Sequence, residues 1–133
     1  MDKATQVLII GGMFILFFGL LLGIPMAVTR GKASRAPRYL FAAHLAAIIH
    51  GAVLLALTVA IGFSNLSSLV ETIAAYFLVA GMTLFDIGLA LNWLQGVEDG
   101  FGEKSVGNKV SFLGTPLVLV GAGIILYGVV AAL

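Results

Sequence analysis

Three residues of this chain carry chemistry into surroundings that offer almost none: His44, His50 and Asp86. The histidines lie in Phe41-Ala-Ala-His-Leu-Ala-Ala-Ile-Ile-His-Gly51, a run that is otherwise alanine and aliphatic or aromatic carbon. An imidazole placed there needs a hydrogen bond, a metal or a cofactor, because an unpaired polar group in hydrocarbon is costly. The two rings are six positions apart, so on a 3.6-residue helix they stand about 120° from superposition. A zinc pair would more naturally use a His-x-x-x-His spacing on one face. His44 and His50 are therefore expected to look toward different surroundings. Asp86 needs a partner of its own, and a histidine N–H is the natural one.

These residues must be positioned by elements that cross a bilayer. Of 133 residues, 61% are hydrophobic and only 10% charged, with a mean hydropathy of +1.15. A soluble domain carries about a quarter of its residues charged. Four apolar stretches, about 6–28, 40–63, 70–94 and 110–133, each meet the roughly 20 residues a crossing helix needs. The expected fold is an all-α integral membrane four-helix bundle forming one domain over 1–133. The first span holds no ionisable residue and is followed directly by a basic loop, which favours a retained span over a cleaved signal peptide. Pro116 stands inside the fourth span as a potential kink.

Charge sets the orientation. Loops 29–39 and 95–109 hold six of the seven Lys and Arg residues, and only Lys3 lies on the other side. The positive-inside rule then places both loops in the cytoplasm and both termini outside, in what is expected to be a bacterial inner membrane. A net charge of +1 gives no reason to expect a nucleic-acid partner. With no cysteine there is no disulfide, no thiolate metal site and no covalent c-type haem attachment.

Depth follows from position along each span. His50 is near the middle of the second, and His44 is about 9 Å closer to the cytoplasmic face at 1.5 Å per residue. Asp86, on a span running the other way, falls roughly 6 Å to the cytoplasmic side and is bracketed by the two histidines. Ala43, Ala47 and Gly51 form a row of small residues at four-residue spacing, with Ala42 and Ala46 beside it. Such rows let another helix or a flat macrocycle approach closely, and Gly19 and Gly23 make a GxxxG of the same kind in the first span. Glu71 reads as a solvated acid at a helix mouth. Tyr76, Asn92, Trp93 and Tyr127 read as interfacial or packing residues, and Thr83 as bonded to its own helix.

The layout resembles that of styrene oxide isomerase, a family of small four-span membrane enzymes. The family's second span has a histidine followed six residues later by Asn-Gly; here the register reads His44, then His50-Gly51. Ile61-Gly62-Phe63, the stretch from Gly81 to Asn92-Trp93, Gly100-Phe101-Gly102 and Val110-Ser111-Phe112-Leu113 extend the resemblance over roughly residues 41–127. It implies a homotrimer with haem b at each subunit interface, His44 being the axial ligand and Ala43, Ala47 and Gly51 the small residues beside the cofactor. It further implies that ferric iron acts as a Lewis acid on the oxygen of a small apolar epoxide, a hydride shift then giving an aldehyde. That chemistry needs a vacant iron position and a dry pocket.

The departures from the family are specific. His50 replaces the pocket asparagine, and the third-span tyrosine has no clear counterpart, Gly88 or Ala90 falling there. His50 and Asp86 are then the candidate catalytic residues, one to orient substrate or transfer a proton and the other to tune a histidine. Two other readings use the same residues. If His50 of a neighbouring copy closes the iron, the protein is a two-histidine electron carrier or haem sensor. Without a cofactor, His44, Asp86 and His50 at staggered depths suit the proton relay of a small transporter or an accessory subunit.

Overall fold

Sequence and membrane together dictate helices, since only intrahelical bonding satisfies the backbone of a single span in lipid. The computed structural model describes residues 1–99 and 104–133; Gly100-Phe101-Gly102 and Glu103 of the third loop lie outside the described residues. The four elements are α1 (Lys3–Arg30), α2 (Arg38–Ile61), α3 (Ser68–Leu94) and α4 (Val106–Val130). Their lengths of 28, 24, 27 and 25 residues correspond to about 36–42 Å at 1.5 Å per residue, enough for the ~30 Å hydrocarbon layer.

Large apolar side chains cover the outside: Phe14, Phe17, Ile24, Phe112, Leu119 and Leu126 are all more than half exposed. Such a surface would associate or aggregate in water and is at rest in lipid. The protein is an integral membrane four-helix bundle.

Caps move the boundaries away from the hydropathy limits. Asp2 accepts from the Thr5 backbone N–H at 2.7 Å and from the Thr5 hydroxyl at 2.8 Å, so α1 begins at Lys3. These bonds hold the Asp2 carboxyl below its ordinary value, the Thr5 backbone N–H being the main cause. Ser105 accepts from Asn108 N at 3.0 Å and starts α4 at Val106, four residues before the apolar run. The first turn of α4 therefore lies within the segment expected to be loop. At the other end of α3, Gly96 takes φ +65°, with Gly96 N–H on Trp93 O and Val97 N–H on Asn92 O, a Schellman closure. Both helix-internal prolines, Pro25 and Pro116, sit in uninterrupted helix.

Two antiparallel seams build the bundle, α1 on α2 and α3 on α4, and α3 also meets α1 and α2. Backbones touch at both seams. A Cβ on Gly51 would come within 2.7 Å of Leu16 N and 2.8 Å of Gly12 O, and one on Gly81 within 2.7 Å of Gly114 O. No larger residue fits at either crossing, and dispersion over these close contacts is what holds helices together in lipid. The α2–α3 turn reaches α4 through Asn65, whose amide donates to Ala131 O at 3.1 Å.

Two polar residues differ from the sequence reading. Glu71 is in the first turn of α3 as expected, but it is only 8% exposed and is not a solvated cap. Asn92 is 1% exposed; its amide donates to Asn108 Oδ1 at 2.7 Å and its carbonyl accepts from the Ser105 hydroxyl at 2.6 Å. It is a buried clasp between α3 and the start of α4 rather than an interfacial residue. Trp93 packs beside Leu22, Leu40 and Ala43, while Tyr76 and Tyr127 are exposed on the lipid side.

Candidate functional site

Each histidine is held by a different helix. His44 Nδ1 lies 2.7 Å from the backbone oxygen of Gly19 on α1. A carbonyl only accepts, so Nδ1 carries the proton and Nε2 keeps its lone pair. The Gly19–Gly23 pair makes this possible: a Cβ on Gly23 would stand 3.3 Å from His44 Cε1, so the ring is seated against bare backbone. A histidine with one nitrogen tied to a carbonyl and the other free is the arrangement usual for metal-ligating imidazoles.

His44 borders a hollow of about 510 Å³ at the α1–α2 end, with walls from Gly23, Met26, Ala27 and Phe41 and a rim that includes Arg30 and Arg35. The sequence marked His44 but not its guanidinium neighbours: Arg30 ends α1 and Arg35 belongs to the 31–37 connection, and both line the same hollow. The basic loop was legible in sequence; its share in the hollow of His44 was not.

His50 turns the other way, toward α3. Its Nδ1 is 2.8 Å from Asp86 Oδ1, and the Phe85 ring meets its edge at a centroid distance of 5.7 Å. The expected histidine partner of Asp86 is thus His50 and not His44. Asp86 is 1% exposed against 23% for His50. Asp86 Oδ2 is buried with no hydrogen-bond partner. Asp86 also contributes to the wall of a groove of about 550 Å³ between α1 and α3, shared with Val7, Gly11, Phe14, Phe18, Tyr76 and Thr83. Thr83 therefore faces a groove, a placement sequence spacing did not reveal.

The row Ala43, Ala47 and Gly51 is fully covered inside the subunit. Gly51 meets Gly12 and Leu16, and Ala47 meets Gly19, all on α1. This corrects the cofactor-facing reading of the row: α1 occupies it, and a flat macrocycle would have to displace a helix. His44 stands on the border of that seam and also borders the hollow.

Among the described residues no group of three or more His, Cys, Asp or Glu side chains could hold a bare metal ion. A site here would rest on single histidines. Comparison with protein-family models, with curated proteins and with solved structures gave no match.

Proposed function

We propose that this chain is a haem b-binding membrane isomerase, opening a small apolar epoxide to a carbonyl compound. The observation that carries the reading is the His44 ring. Its Nδ1–H is committed to Gly19 O, which leaves the Nε2 lone pair uncommitted on a ring that borders a hollow. Met26, Ala27 and Phe41 suit a macrocycle's face and edge, and Arg30 and Arg35 suit its two carboxylates. The absence of cysteine fits a non-covalently held haem. When bound, ferric haem supplies a Lewis acid for the epoxide oxygen.

The chain's own residues do the rest. Gly23, Met26, Ala27 and Phe41 give the hollow an apolar side, which would shield a reacting carbon from water. The hollow is open on one side, and a neighbouring subunit closes it in a homo-oligomer, a trimer by the resemblance. His50 does not border the hollow of its own subunit. It therefore acts across the subunit boundary, exchanging a proton at Nε2 while Asp86 Oδ1 holds Nδ1–H and fixes the tautomer. The Lys and Arg distribution supports a cytoplasmic place for loops 29–39 and 95–109.

One observation favours a second reading. His50 is also a histidine with one nitrogen engaged, so its Nε2 is as ready to bind iron as that of His44. If it closes the iron of a neighbour, the protein is an electron carrier or haem sensor. The absorption spectrum of protein purified after expression with ample haem separates them. A five-coordinate ferric spectrum that shifts with imidazole supports the isomerase, and an inert low-spin spectrum supports the carrier. Colourless protein, or full haem retained by His44→Ala, rejects both.

A further inference from the structure

Asp86 raises a separate question, because half of its carboxylate is unused. Oδ1 is taken by His50, and Oδ2 is buried with nothing to accept from. An unmet acceptor of this kind is expensive in hydrocarbon, and a donor brought to it would be stabilising. Asp86 forms part of the wall of the α1–α3 groove, and no lysine or arginine contributes to that wall. From α2, the one titratable group on the carboxylate is His50. Thr83, three residues before Asp86, brings a hydroxyl to the same wall, and the remaining surface is almost entirely apolar carbon. A volume of about 550 Å³ lies within the range of small-molecule sites.

We propose that this groove binds a lipophilic amine: an aromatic or branched apolar body carrying one protonated nitrogen, entering from the bilayer and donating to Asp86 Oδ2. The chemistry selects this class. An ammonium donates to the empty acceptor and, where the carboxyl is ionised, also cancels its charge in a low-dielectric setting. An alcohol meets the hydrogen bond alone, and a carboxylic acid is repelled. A hard metal cation needs six or more oxygens, whereas the wall offers oxygen only from Asp86, Thr83 and Tyr76 side chains. None of the groove's residues borders the His44 hollow, so the inference stands whether or not haem binds.

The test uses the full chain in lipid nanodiscs with carboxyl-¹³C aspartate. There are three aspartates, Asp2, Asp86 and Asp99, and Asp86→Asn assigns the signal of interest. The probe is N,N-dimethyl-4-phenylbutylamine, whose crowded nitrogen is a poor iron ligand; 4-phenylbutanol and 4-phenylbutyrate are the controls. The expected result is a saturable shift of the Asp86 signal, at least fivefold tighter for the amine than for the alcohol and not saturable for the acid. Ile87→Trp, which fills the groove from its lipid side, should weaken amine binding at least tenfold with the resting Asp86 signal in place. Equal affinities for amine and alcohol would overturn the proposal. So would a shift that grows linearly with amine and survives Ile87→Trp, which is partition into the bilayer only.

Discussion

His44 and His50 sit six residues apart on one helix and are fixed in opposite ways. His44 is held by a backbone carbonyl, a partner that neither ionises nor can be removed by substitution. His50 is held by a carboxylate, whose charge is coupled to the ring and whose second oxygen is unmet. A carbonyl fixes tautomer and direction and leaves the imidazole a neutral ligand, whereas a carboxylate also stabilises the protonated ring. Both leave Nε2 uncommitted, and only the second puts an ionisable partner behind the ring. The seams they depend on differ as well. His44 relies on a glycine row in α1 that admits its ring, and His50 relies on the reach of α3 toward α2.

The comparison can be broken at four places. Gly23→Val puts branched carbons where a Cβ alone already approaches His44 Cε1 to 3.3 Å. The ring should leave Gly19 O, and haem affinity should fall by about tenfold to a hundredfold, the loss typical when the hydrogen bond behind a ligand is removed. Titration with haem measures this, and unchanged affinity would show that the Gly19 contact does not set the ligand. Asp86→Ala should leave haem uptake at His44 in place while costing about 2 kcal/mol of stability, because His50 is stranded beside Phe85 without its acceptor. Denaturation from mixed micelles reads the loss.

Asn92→Ala sharpens the same contrast, since it removes two hydrogen bonds that involve neither histidine. Side-chain bonds between membrane helices average about 0.6 kcal/mol each, so a loss of about 1 kcal/mol is expected with no change in either histidine's behaviour. The smallest effect lies at Asp2. Its carboxyl is held low by the Thr5 N–H, so the cap is complete above the ordinary carboxylate value and is lost as pH falls through the lowered one. Hydrogen exchange at Thr5 and Gln6 should speed up across that acidic window while α2 and α3 are unaffected.

Several parts of this molecule were legible in sequence because they depend on local chemistry. Hydropathy located all four spans, since a bilayer asks for about 20 apolar residues whatever the neighbours are. The Gly19–Gly23 pair pointed to close helix approach, and the structure uses it against Ala47, Ile48 and His44. The starts of α1 and α4 were missed by a few residues because a polar cap carries helix beyond the hydrophobic run. Asn92 stayed between an interfacial and a packing role because its partners, Ser105 and Asn108, lie across a loop. The row of Ala43, Ala47 and Gly51 has the same pattern whether a helix or a macrocycle fills it, and only packing shows that α1 does.

By itself, the sequence determined that this chain crosses a membrane as four helices, and that two histidines on one of them point about 120° apart. Periodicity and hydropathy are properties of single segments, and they hold before any helix meets another. Which group faces each ring was decided only in the tertiary structure. The Gly19 carbonyl carries no side-chain signature, and Asp86 chooses His50 over His44 through the rotation and offset of α3 against α2. Helices in lipid settle these offsets by fitting backbones together at Gly12–Gly51 and Gly81–Gly114, where the fit leaves no room for another register.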